Sequence, residues 1–278
     1  MNKDNLLSKK DSAKYLGLDE KTFENYFKNA KEFPYAKTSG RFTFKKSDLE
    51  KWLESYRWRS IKLNIRDYAL CLDFALAQHF RGYVLSDFGT GRQREFGQKI
   101  TNWVKGQLAE VAVKKFLKIN FGVDIQLDFR IYDEIVPQDI IGIKKNGSYR
   151  DPKVNVSIKA SKPKSAFLVL GENEILLTER RSDIYIFCRP DIPDDHLLRI
   201  TRNEIIKLIK GQQHFPKYKK IIPRFDDIPC EIAGYCGIEK LRRVKEIPGQ
   251  PFDGYRFVRE SGLLLKSKKD WEALIKQL

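Results

Sequence analysis

Apolar and polar positions alternate along this chain with two periods. Between Ile100 and Asn120, Trp103, Val104, Leu108, Val111, Ala112 and Phe116 trace one face at helical spacing. Asp67 to Phe80 shows the same period through Leu70, Leu72, Phe74, Ala75 and Ala77. A period of two replaces it in Asp124–Ile135, where Ile125, Leu127, Phe129 and Ile131 alternate, and again at Val154, Val156 and Ile158. Ala166–Leu170, Ser182–Cys188, Cys230–Ile238 and Tyr255–Val258 also read as strands, and Thr201–Gly211 and Lys269–Leu278 as helices. Helices interspersed with strands predict an α/β (α+β) core, a mixed β-sheet flanked by helices.

The first stretch has a pattern of its own. Ser8 can cap a short helix, Lys9 to Leu16, that Gly17 ends. Asp19 can cap a second, Glu20 to Asn29, carrying Phe23, Tyr26 and Phe27. Two extended runs about Ser39-Gly40 form a hairpin, and Ser47 to Leu53 closes the unit with Leu49, Trp52 and Leu53 inward. The boundaries expected are a helix-turn-helix unit over 1–57, a helical, basic connector over 58–97 and a second domain over 98–278.

Charge sharpens this picture. The 278 residues carry a formal net charge of +16. A surplus of that size repels itself and points to a polyanionic partner, with a lysine-rich surface kept for solubility as the alternative. Arg92 and Arg94 stand in a Gly-rich stretch that either lies against DNA phosphates or simply crosses the surface. The four cysteines form no Cys-x-x-Cys pair and the three histidines are scattered, which disfavours structural zinc. Buried free thiols are expected rather than a Cys230–Cys236 bridge. Met1 to Leu7 lacks the apolar centre of a signal peptide, and no apolar run reaches bilayer length, so the reading is a cytoplasmic protein.

The chemistry gathers between Pro137 and Glu174. Lys159 projects from an apolar strand, where a cation needs an anionic neighbour, and Asp139 opens a strand that a turn brings alongside. Asp128 and Asp133 compete with Asp139 as ligands. Glu110 lies on the long helix among small residues that allow close packing on a sheet. Carboxylates with a lysine suit phosphodiester hydrolysis, in which Mg²⁺ takes one or two carboxylates and the lysine orients water or stabilises charge on phosphorus.

Two resemblances follow from these residues. Ser8-x-x-x-Ser12-Ala13-x-x-Leu16-Gly17, Thr22-Phe23, Gly40-Arg41-x-x-Phe44 and Asp48-Leu49-x-x-Trp52-Leu53 resemble the winged helix-turn-helix of the excisionase and MerR-like group. That likeness implies a second helix in a major groove, with Lys21, Asn25 and Lys28 reaching DNA, and a wing, with Lys37 and Arg41, on the backbone. Glu20 and Glu24 depart from it by placing negative charge on the same helix. Glu110, Pro137-x-Asp139 and Ser157-Ile158-Lys159 resemble the PD-(D/E)XK nucleases, and among them the type II restriction endonucleases.

This second likeness implies a restriction-endonuclease-like core, catalysis by Glu110, Asp139 and Lys159, and Mg²⁺ held by Asp139, Glu110, the Ile158 carbonyl and a further glutamate. One residue separates Pro137 from Asp139, and Ser157 stands where the family has Glu or Asp. Some restriction enzymes with Ser-x-Lys recruit a glutamate from the following segment, and both Glu172 and Glu174 are candidates for that role. The expected protein is a homodimeric, Mg²⁺-dependent endonuclease cutting both strands of a specific site. Its rivals are another nuclease of that superfamily, for repair or junctions, and a non-catalytic DNA-binding regulator.

Overall fold

The computed structural model describes residues 6–20, 23–24, 33, 35–38, 40–80, 95–130, 138–145, 147–163, 165–213 and 222–278. At the N-terminal end, β1 (Leu6–Leu7) precedes α1 (Lys9–Tyr15), whose N-cap Ser8 accepts from the Asp11 amide. Gly17 follows at φ 68°, the left-handed backbone that lets the chain leave a helix without steric cost. β2 (Ala36–Thr38) and β3 (Arg41–Lys45) form the expected hairpin, and β3 also pairs with β1. Phe23, Phe33, Phe44, Leu49 and Ala13 make a small core, with Phe23 edge-on to Phe33 at 5.2 Å and to Phe44 at 5.0 Å. The closing helix α2 (Lys46–Trp58) runs beyond the expected Leu53, and its last residue packs on Phe116 of the main core at 5.4 Å.

Within the stretch expected to be a helical, basic connector, the helix expected over 67–80 is present, and residues 60–80 pack into the main body. β4 (Ser60–Leu63) buries Ile61 and Leu63 and joins the central sheet, and α3 (Ile65–Phe80) contributes Tyr68, Cys71 and Ala75 to the main core. Two buried residues in a four-residue strand are a weak periodic signal, too short to separate from a linker. α4 (Phe96–Phe121) is the long helix the periodicity predicts, ended by Gly122 at φ 68°. β5 (Asp124–Leu127) is shorter than the expected strand: Asp128 accepts from the Arg130 amide at 3.0 Å and from its guanidinium, which turns the chain away.

β6 (Ile140–Lys145) pairs antiparallel with β5 and with β7 (Ser148–Arg150). β8 (Val156–Ala160), β9 (Phe167–Gly171), the short α5 (Glu172–Leu176) and β10 (Ile184–Pro190) follow. The helix expected over 201–211 is instead two short helices, α6 (His196–Ile200) and α7 (Arg202–Leu208). β11 (Ile228–Gly237), β12 (Arg242–Ile247), β13 (Gln250–Glu260) and α8 (Lys268–Gln277) complete the chain.

Several sheets therefore replace the one expected. The central one has the order β4-β11-β10-β8, with β8 parallel to β10 and the other neighbours antiparallel. One face, with Val156, Ile158, Ile186, Cys188 and Ile232, packs with Val104, Leu108 and Ala112 of α4. The other face, with Tyr185, Phe187 and Ala233, packs with Leu168 and Leu170 of the β12-β13-β9 sheet. β11 bends where Gly234 takes φ 136°, opposite Phe187; a Cβ there would stand 2.7 Å from the Leu265 carbonyl. Within this buried sheet Glu231 accepts from Arg189 at 2.9 Å and pairs with Arg59 at 3.4 Å. All four cysteines are buried and free.

Candidate active site at the β8 edge

Among the described residues β8 has one neighbour strand, β10, so its far edge presents backbone groups that need partners. Asp139, just ahead of β6, meets that edge with both backbone and side chain. Its amide donates to the Val156 carbonyl at 3.0 Å, and its carboxylate accepts from the Ile158 amide at 2.5 Å and the Ser157 hydroxyl at 3.2 Å. Ser157 thus fastens the aspartate from the position where a carboxylate was expected. The N–H and C=O of one strand residue point to the same side, so the Ile158 carbonyl faces the edge that Asp139 occupies.

Lys159 lies one residue further along β8. Its ammonium meets the Glu174 carboxylate at 2.5 Å, with about 30% of its side chain exposed. Burial acts to lower the Lys159 pKa, but the charges of Glu174 and Asp139 outweigh it and hold the ammonium above its ordinary value. Glu174 sits on α5, the turn that connects β9 to the rest of the chain. Glu172 on the same turn goes elsewhere: the Arg243 guanidinium takes it, Nε at 2.8 Å, and stacks on Tyr255 at 3.8 Å. The two glutamates that sequence left open are therefore separated by geometry, since two positions on one short helix point apart.

Glu110 comes from α4 and is 6% exposed. Burial, with Asp139 adding to it, pushes its carboxyl well above the usual carboxylate range, while Lys159 and a hydrogen bond from Gln107 oppose the rise. Asp139 is raised as well, burial outweighing Lys159 and the two donors on its carboxylate. Asp128 is near enough to add to the rise at Glu110, yet it is engaged by Arg130 at 2.9 Å. Four of the expected residues thus share one electrostatic environment. Gln107 and Tyr185 belong to it too and were not expected. Tyr185 follows the strand pattern of its neighbours, and Gln107 interrupts an apolar stripe, the one signal that sequence carried.

The donor set is all oxygen: the Asp139 and Glu174 carboxylates and the Ile158 carbonyl, with Glu110 close by. Such ligands suit Mg²⁺, which takes one or two carboxylates and completes its shell with water and substrate oxygens. Among the described residues no three His, Cys, Asp or Glu side chains form a ready cage.

Lys37 and Arg41 are exposed on the β2–β3 wing, with the Lys37 ammonium 5.4 Å from the centre of the Phe42 ring. Lys21, Asn25, Lys28, Arg92, Arg94, Asp133 and Pro137 lie outside the described residues. Among the described residues no helix is long and apolar enough to cross a membrane. Residues 6–57 match the family model of a helix-turn-helix domain. No curated protein and no solved structure matches the chain. The N-terminal unit is thus a helix-turn-helix domain, whose ordinary partner is DNA, attached to a mixed α/β body of several sheets.

Proposed function

We propose that this chain is a Mg²⁺-dependent endodeoxyribonuclease, a type II restriction enzyme with a PD-(D/E)XK core and a winged helix-turn-helix of the excisionase and MerR-like kind. The observation that carries the reading is the β8 edge: Asp139 bound to the Ile158 amide, beside a Lys159–Glu174 pair. The net charge of +16 and the helix-turn-helix domain supply the reason for DNA as substrate.

In this reading Asp139, Glu174 and the Ile158 carbonyl hold the cation, with Glu110 close behind. Mg²⁺, when bound, supplies a Lewis acid for charge developing on the phosphate oxygens. Lys159 orients a water and stabilises that charge. The water oxygen bonds to phosphorus and gives up a proton to solvent, one P–O ester bond breaks, and the leaving oxygen takes a proton from solvent, so that the products are a phosphate monoester and a hydroxyl. The Lys159 ammonium suits this role because Glu174 and Asp139 keep it charged. Cutting both strands of a symmetric site calls for a homodimer, and a cytoplasmic enzyme meets DNA directly.

A regulator that binds DNA without cutting it is the second reading, favoured by the helix-turn-helix match over 6–57. Digestion of several plasmid and phage DNAs with Mg²⁺, with EDTA and with Lys159→Ala separates the two. Discrete fragments that need both Mg²⁺ and Lys159 are expected. Duplex binding with every DNA left intact would move the assignment to the regulator, and structure-selective nicking would move it to a repair or junction nuclease.

A further inference from the structure

We infer that Gln107 is a positioning residue of this site: its amide Nε2 holds the Glu110 carboxylate at 2.8 Å, and its carbonyl Oε1 is left as an acceptor for a hydrogen donor bound beside Glu110. The inference rests on the nuclease reading, because the donor it names is water in the shell of a divalent cation.

Gln107 lies one helical turn before Glu110 on α4 and is 7% exposed. Around it the helix is apolar, with Val104, Leu108 and Val111 all buried. A leucine would continue that stripe at no polar cost. The amide instead brings two donors and an acceptor into a site that can satisfy few of them. The NH2 end of the amide faces Glu110, the orientation that the ionised carboxylate of the cation-bound state, which only accepts, requires. Oε1 then belongs to the same small planar group, next to the carboxylate, and has no hydrogen-bond partner among the described residues. A buried acceptor beside a candidate metal ligand is the arrangement by which outer groups orient a cation and its waters, and losing such a group weakens metal affinity about 10- to 100-fold.

The test is calorimetric titration of Mn²⁺ into the full chain without DNA, comparing the unaltered protein with Gln107→Met and Gln107→Asn. Methionine keeps the length and removes the amide; asparagine keeps the amide and shortens its reach, so one of the two remains informative should the other misfold. The unaltered chain is expected to bind Mn²⁺, and each variant to bind about 10-fold or more weakly. In cleavage assays kcat is expected to fall while the KM for DNA holds, a split that a purely packing role does not produce. Equal Mn²⁺ affinity in the unaltered chain and a folded variant overturns the role given to Gln107 and leaves the nuclease reading standing. Failure of the unaltered chain to bind Mn²⁺ overturns that reading and this inference with it.

Discussion

Two clusters of buried charge sit on the central sheet, and they are balanced in opposite ways. On β10 and β11, Glu231 stands between Arg189 and Arg59, and the arginines also donate to backbone carbonyls, Arg189 to Ser165 at 2.9 Å and Arg59 to Ile232 at 2.8 Å. At the β8 edge, Glu110, Asp139 and Glu174 share one lysine. The first cluster joins strands and the end of α2 through one carboxylate held by two guanidiniums. The second leaves the Glu110 carboxyl well above its ordinary value and raises Asp139 as well. A structural network settles its charges within the protein, whereas a site that must receive a cation is built with surplus negative charge.

Breaking the Glu231 cluster should have the largest effect on folding. Glu231→Ala strands two buried guanidinium groups and is expected to cost about 3–5 kcal/mol, read as a fall in the denaturant midpoint. Glu231→Ala protein that keeps the midpoint of the unaltered chain would remove the distinction between the clusters. At the β8 edge the largest effect should be on chemistry. Lys159→Ala is expected to reduce Mg²⁺-dependent cleavage about 10³-fold, measured in single-turnover digests, with DNA binding retained. Loss of binding and cleavage together would instead assign Lys159 to holding DNA.

Glu110 gives an intermediate effect with an unusual sign. Its carboxyl is raised in the folded chain, so the folded state keeps a proton that the unfolded chain releases. Its contribution to stability therefore falls as pH rises from the ordinary carboxylate range through the folded value. Asp139 acts in the same direction. Glu110→Gln should stabilise the apo protein near neutral pH, by about 1.4 kcal/mol for each pH unit that separates the two titrations, and should weaken cleavage. Cleavage by the unaltered enzyme should rise with pH over the window in which apo stability falls, since the carboxylates must ionise to take the cation. Melting curves and rates measured across one pH series check both slopes, and slopes of the same sign would contradict the account.

The long helix, the wing and the Asp139–Lys159 neighbourhood were legible in sequence because each rests on a local regularity: a helical stripe, a turn with Gly40, a lysine on an apolar strand. The pairing of β4 with β11 was not, since strands more than 160 residues apart leave no mark in either segment. Asp128 was misread as part of a continuing strand because alternation carried through Phe129, while a side-chain hydrogen bond to the Arg130 amide ended it. Gln107 was passed over within its stripe, where one polar residue on a helix face is easily assigned to solvent.

The smallest expected effect separates two glutamates on one helical turn. Glu172 pairs with Arg243, side chains about 28% and 48% exposed, and such a pair contributes about 0.2–1 kcal/mol. Glu172→Gln should therefore cost less than about 1 kcal/mol of stability and leave cleavage nearly unchanged. Glu174→Gln removes the partner of Lys159 and a candidate ligand at once, and should weaken both Mn²⁺ binding and cleavage. The comparison is sensitive because the substitutions are chemically identical and two residues apart. Equal losses from both would mean that α5 acts as a unit, with Arg243 and Tyr255 holding the turn in place so that Glu174 can reach the β8 edge. A loss confined to Glu172→Gln would require that turn to rotate when DNA binds, exchanging one glutamate for the other beside Lys159.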